Sequence, residues 1–185
     1  DFLRDLETSG NPKGKSGTVG RGSAPAKAVT ARSAKADIEA FFNSPAIHEL
    51  KLQICDIGRR LWQRAYVDGN GGNIGIRVGE DIVLCTPTLI SKGYMTPEDL
   101  CLVDLEGNQL EGDLRPSSDT PTHLILYRAF PGIGGVAHTH STYATAWAQA
   151  GRGLPCYGTT HADTFRGEVP LTEELTLTAL RGPYE

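Results

Sequence analysis

Asn73-Ile74-Gly75-Ile76-Arg77-Val78-Gly79-Glu80-Asp81-Ile82-Val83-Leu84-Cys85 is the stretch that decides the fold. Asn73 to Val78 and Asp81 to Cys85 are short apolar runs flanking Gly79, a pattern that predicts two strands joined by a turn. Downstream, Leu100 to Leu105 and Gln109-Leu110 flank Glu106-Gly107-Asn108, which predicts a hairpin, and Val136 to His140 reads as a further strand after Gly134-Gly135. Upstream, Ser44-Pro45 sets a capping hydroxyl before a proline at the first helical position. Ile47, Leu50, Ile54, Ile57, Leu61 and Ala65 then recur at three- and four-residue steps, predicting an amphipathic helix that ends before the Asp68–Gly72 turn. A second helix is expected from Thr120-Pro121 to the Pro131-Gly132 stop, and a third from Tyr143 to Ala150, closed by Gly151. Helices interleave with strands while hairpins also occur, so a sheet of mixed α/β or α+β type with helices packed on it is expected.

The wider composition fits one globular domain. The 185 residues are 39% hydrophobic and 22% charged, with a net charge of −4, which excludes a wholly disordered, collagenous or disulfide-scaffold chain. No apolar run approaches the roughly 20 residues of a membrane span, and Asp1-Phe2-Leu3-Arg4-Asp5 lacks the order of a signal peptide. A cytoplasmic protein is the expectation. Cys55, Cys85, Cys101 and Cys156 have no CxxC spacing and are read as small buried hydrophobes.

Residues 1–36 carry seven Lys or Arg against three Asp or Glu, and from Ser9 to Lys35 almost no large apolar side chain occurs. Such a segment cannot bury enough surface to offset its ordering entropy, and a flexible basic arm is expected. The remainder is correspondingly acidic, which argues against a nucleic-acid partner. Gly10-Asn11-Pro12-Lys13-Gly14-Lys15-Ser16 imitates a phosphate loop but is one residue short and follows no apolar strand. Gly69 to Gly75 misses the dinucleotide fingerprint, with Ile74 where the third glycine belongs.

Three clusters carry chemistry. On a strand, His138 and His140 lie on one face about 6.5 Å apart, so two imidazoles can converge on one ion. Two ligands alone do not make a catalytic zinc site, which needs three. Arg115 to His123 brings Ser117, Ser118 and Asp119 to the mouth of a predicted helix, where free N–H groups bind anions; helix capping by Asp119 or Thr120 is the plainer reading, and His123 is expected to pack or bond locally. Gly158-Thr159-Thr160-His161-Ala162-Asp163 reads as a loop whose carboxylate suits proton transfer.

Taken together, the stretch from about Asn73 to Pro170 resembles the class II aldolase/adducin-head family, and within it the L-ribulose-5-phosphate 4-epimerase branch. The resemblance rests on Ser117-Ser118-Asp119-Thr120-Pro121-Thr122-His123, Phe130-Pro131-Gly132-Ile133-Gly134-Gly135, His138-Thr139-His140-Ser141, Trp147-Ala148-Gln149-Ala150-Gly151 and Gly158 to Asp163, in the family's order and spacing. It implies an α/β/α fold with a mixed, largely antiparallel central sheet and helices on both faces. By the same resemblance, His138, His140 and Asp119 are expected to hold Zn²⁺ or another divalent metal, Asp163 to act as catalytic acid/base, and Gly72, Asn73, Ser117 and Ser118 to contact substrate. The implied reaction is retro-aldol cleavage and re-addition on a ketose phosphate or related sugar, in a homotetramer. Asp119 at the metal position, where the family's aldolases carry glutamate, favours the epimerase branch. An aldolase or sugar lyase on another substrate, and a non-catalytic adducin-like scaffold, are the alternatives.

This sequence departs from the family in three places, one being the basic arm before Asp37, which is not part of the family's domain. Thr86-Pro87-Thr88-Leu89 stands where the epimerases carry a Lys-Pro-Ser-Gly phosphate loop, with Thr88 or Lys92 weighed as replacements. The family's third histidine ligand and C-terminal tyrosine have no counterpart before Pro183-Tyr184-Glu185, so residues 37–185 are expected to be a class II aldolase-like domain lacking the family's C-terminal part, with His161 weighed as a substitute ligand.

Overall fold

The structure is a computed structural model that describes residues 28–174. Five antiparallel strands form one sheet in the order β4-β3-β2-β1-β5: β1 Asn73–Arg77, β2 Ile82–Cys85, β3 Cys101–Asp104, β4 Gln109–Glu111 and β5 Gly135–His138. The helices are α1 Lys35–Phe42, α2 Pro45–Gln63, α3 Thr120–Ala129, α4 Thr142–Gln149 and α5 Thr159–Thr164.

The two-residue period of the central strands sorts their side chains into two cores. Leu84 pairs with Leu102, and both join Ile74 and Ile82 under α1 and α2, where Ile38, Phe42, Ile47 and Ile54 are buried. Val83 pairs with Val103, and both join Cys85 and Cys101 on the other face, covered by Leu124 and Tyr127 of α3. Helices therefore cover both faces of the sheet, as expected, and every strand pairing is antiparallel.

Helix α2 starts where the capping signal places it. Ser44 Oγ accepts from the Ile47 N–H at 3.4 Å, Pro45 opens the helix, and Ile47, Lys51, Ile54, Cys55 and Gly58 form the buried stripe. Ser44→Ala should cost about 1 kcal/mol, read as a lower urea midpoint at unchanged m-value; an unchanged midpoint would deny the cap its role.

Three expectations need correction, and one helix has no signal in the sequence. Helix α1 is not signalled by a cap, since Ala34 offers no side-chain bond; the helix forms because Ile38 and Phe42 bury against the sheet. The expected arm over residues 1–36 is packed at its end: Val29 and Ala31 lie against the core, and the Ala31 N–H donates to Asp81 Oδ1 at 3.1 Å, while residues 1–27 lie outside the described residues. Gly158 to Asp163 is not a loop but runs into α5. Cys55, Cys85 and Cys101 are buried as expected, and burial pushes the Cys85 thiol up to about 12; Cys156 is exposed, because the segment around it covers no core.

Candidate functional site

The start of β1, the end of β5 and the entrance to α3 meet at one end of the sheet. Asn73 and His138 are register partners, so both side chains emerge on the face that α3 covers. Asn73 Nδ2 donates to Asp119 Oδ2 at 2.6 Å, and His138 Nδ1 lies 2.9 Å from that same oxygen. Asp119 occupies the N-cap position of α3 but makes no side-chain cap bond; its carboxylate reaches across to the sheet instead. Ser117 sets the approach, its Oγ accepting from the Asp119 N–H at 3.3 Å while its own N–H donates to the Thr86 carbonyl at 3.1 Å.

His140 lies just past the strand. Its N–H donates to the Tyr66 carbonyl at 2.8 Å, and its ring centroid is 5.0 Å from that of His138. His140 Nδ1 is 3.4 Å from Asp68 Oδ1. Each imidazole thus has a carboxylate beside Nδ1; at His138 the contact is a hydrogen bond, which favours the Nδ1–H tautomer and leaves Nε2 with its lone pair. Both side chains are 44% exposed, and they open on a cleft of about 600 Å³ whose far wall is α4, with Thr142 and Gln149.

Gly72 makes the turn before β1 possible. Its φ is +71°, and a Cβ there would stand 2.4 Å from Val67 Cγ1 and 3.0 Å from the His138 carbonyl oxygen. Gly75, inside β1, lets α3 pack closely on the strand, because a Cβ there would meet His123 Nδ1 at 3.1 Å. His123 is buried against β1, as its position one turn inside the helix suggests, and its Nε2 has no hydrogen-bond partner among the described residues. Burial pushes its imidazole down to about 4; the neighbouring His138 acts in the same direction and Asp119 opposes it.

Two neutral imidazoles with a carboxylate are the donor types a divalent transition-metal ion takes. Among the described residues, however, no three His, Cys, Asp or Glu side chains are gathered as a ligand cage, since Asp119 is engaged by Asn73 and His138. The residues fit a two-imidazole platform that would hold the ion with further ligands added.

Other expected site residues stand apart. Asp163 is exposed on α5 and shares no hydrogen bond or ion pair with the cluster among the described residues, and Ser118 is likewise exposed without a side-chain partner. His161 stands apart from the imidazole pair: its Nε2–H donates to the Gly167 carbonyl at 2.7 Å, and among the described residues it shares no hydrogen bond or ion pair with His138 or His140. Lys92 is 1% exposed, with Nζ donating to the Ile90 carbonyl at 2.7 Å, so it does not replace the missing phosphate-loop lysine at a surface. Asp68 was not expected at the site: Asp68-Gly69 in a glycine-rich stretch signals a turn, and only the turn's folding brings the carboxylate to His140.

Residues 52–181 match the family described as Class II Aldolase and Adducin N-terminal domain. The chain belongs to the class II aldolase and adducin family. This family member is 44% identical over 140 residues, 75% of its length, to L-ribulose-5-phosphate 4-epimerase UlaF of Salmonella paratyphi C (strain RKS4594), and the match covers 61% of that relative. The chain therefore spans about three fifths of the length of the curated relatives it matches. Among solved structures it is similar to YgbL from Escherichia coli, with a TM-score of 0.52 and 35% identity over 55% of this chain and 48% of that one. It is also similar to an L-fuculose 1-phosphate aldolase, with a TM-score of 0.55 and 30% identity over 58% of this chain and 51% of that one. The class II aldolase likeness inferred from the motifs is thereby established for fold and family.

Proposed function

We propose that the chain forms the metal-binding part of a sugar-phosphate epimerase of the L-ribulose-5-phosphate 4-epimerase type, working by retro-aldol cleavage in the cytoplasm as a homotetramer. The observation that carries the reading is the Asn73–Asp119–His138 network with the His140 ring 5.0 Å from that of His138, two imidazoles side by side. His138 and His140 would hold Zn²⁺ or another divalent ion, with Asp119, expected as a third ligand, supporting the His138 ring from behind. The ion, when bound, supplies positive charge that stabilises an oxyanion developing beside a breaking carbon–carbon bond.

The chain's own residues prepare that chemistry. Asn73 fixes the Asp119 carboxylate, and Asp119 in turn orients the His138 ring, so the pair stays aligned without rearrangement. Gly72 lets the turn before β1 pack closely on the His138 carbonyl, which brings Asn73 beside the ring. Ser117 and Ser118, at the entrance of α3, are suited to a phosphate or sugar hydroxyl. Asp163 is assigned the transfer of a proton to and from the aldehyde oxygen. The residues Thr86-Pro87-Thr88-Leu89, together with the buried Lys92, favour a second reading in which a related aldolase or lyase acts on a different sugar.

The test is incubation of the zinc-loaded full chain with L-ribulose 5-phosphate, followed by NMR of the sugar. Appearance of the C4 epimer supports the epimerase, and a trapped aldehyde without epimer supports the lyase. Protein that holds zinc yet turns over neither way, or that holds none, supports an adducin-like scaffold. Asp163→Asn should retain metal and slow turnover by roughly 10²–10⁴; unchanged turnover would remove Asp163 from the mechanism.

A further inference from the structure

We propose that the end of the sheet remote from the imidazole pair carries a second anion site, built from Arg32, Arg77 and Arg128 and suited to a phosphate group. The three guanidiniums line one cleft of about 770 Å³, a volume typical of small-molecule sites. Glu80 and Asp81 share that lining, yet among the described residues neither carboxylate forms an ion pair with any of the three. Asp81 Oδ1 instead accepts from the Ala31 N–H at 3.1 Å, and Glu80 meets Arg77 Nη1 through its backbone carbonyl at 2.7 Å, not its carboxylate.

Carbonyl anchors also hold the arginines in place. Arg77 Nη2 donates to the Tyr127 carbonyl, and its guanidinium lies 5.1 Å from the centre of the Tyr127 ring. Arg128 Nη1 donates to the Leu105 carbonyl. A carbonyl orients a guanidinium without cancelling its charge, so the cleft sets three guanidiniums, with donors to spare, against the two carboxylates of Glu80 and Asp81. Planar forks of this kind match the oxygens of a phosphate two at a time. The cleft is distinct from the imidazole pair, because Arg77 ends β1 and Asn73 begins it, about 13 Å away along the strand.

Titration of the full chain with inorganic phosphate at constant ionic strength, followed by backbone amide shifts, tests the site. Saturable shifts are expected at Arg77, Tyr127 and Arg128. The double variant Arg32→Gln/Arg128→Gln, which leaves the anchored Arg77 in place, should weaken that binding at least tenfold, as expected for lost charge-assisted bonds. It should keep the melting temperature measured without phosphate and its zinc content, which separates this site from the imidazole pair. Ser117→Ala should leave the shifts unaltered. Phosphate shifts confined to the Ser117 region, undiminished binding in the double variant, or no saturable shift at all would each overturn the proposal.

Discussion

His138→Ala is expected to remove zinc binding altogether: protein dialysed against buffered metal should carry about one equivalent as wild type and none as the variant, by elemental mass spectrometry. One imidazole does not hold a divalent ion against water, and this cluster contributes only two. The ring is 44% exposed, so its loss leaves no core cavity, and a folding defect should not imitate the result. Asp119→Asn should be milder. The amide still fills the space between Asn73 and the ring but holds His138 less firmly, so affinity should fall by roughly 10–100-fold, as for a partner that orients a metal ligand. Full zinc occupancy in His138→Ala would mean the ion sits elsewhere.

The second large effect is a loss of stability in mild acid, caused by His123. Its imidazole titrates at about 4 in the folded chain against 6.5 in the open chain, so between those values the unfolded state binds the extra proton. Stability rises with pH wherever the unfolded state binds more protons, so this contribution is complete above about pH 6.5 and is lost as pH falls toward 4. The drop is of order 3 kcal/mol. Urea titrations at pH 7 and pH 4.5 should show it in wild type. His123→Gln should be less stable at pH 7, having lost a well-fitted buried ring, but much flatter between the two pH values. An equally steep loss in that variant would assign the acid sensitivity to other groups.

Much of this architecture was legible because local signals and tertiary packing agree. Ser44-Pro45 caps α2, and the alternation through Ile82, Val83, Leu84 and Cys85 divides between the two cores. His138 and His140 could be paired from their spacing, although the strand ends at His138 and the second ring is placed by the Tyr66 carbonyl instead. What could not be read depends on contacts distant in sequence. Asp119 has the look of a helix cap, and only the register of β1 with β5 sets Asn73 and His138 before it as better partners. Asp68 reaches His140 through the folding of a turn. Lys92, a residue type expected at the surface, is buried by neighbours that no local pattern names.

Strand β5 is four residues long and, among the described residues, is zipped to the sheet through β1 alone. A slip of one position there would swing the His138 ring to the opposite surface. A cation held by His138 would be gripped no more durably than that short zipper, and would in turn rivet the outermost strand.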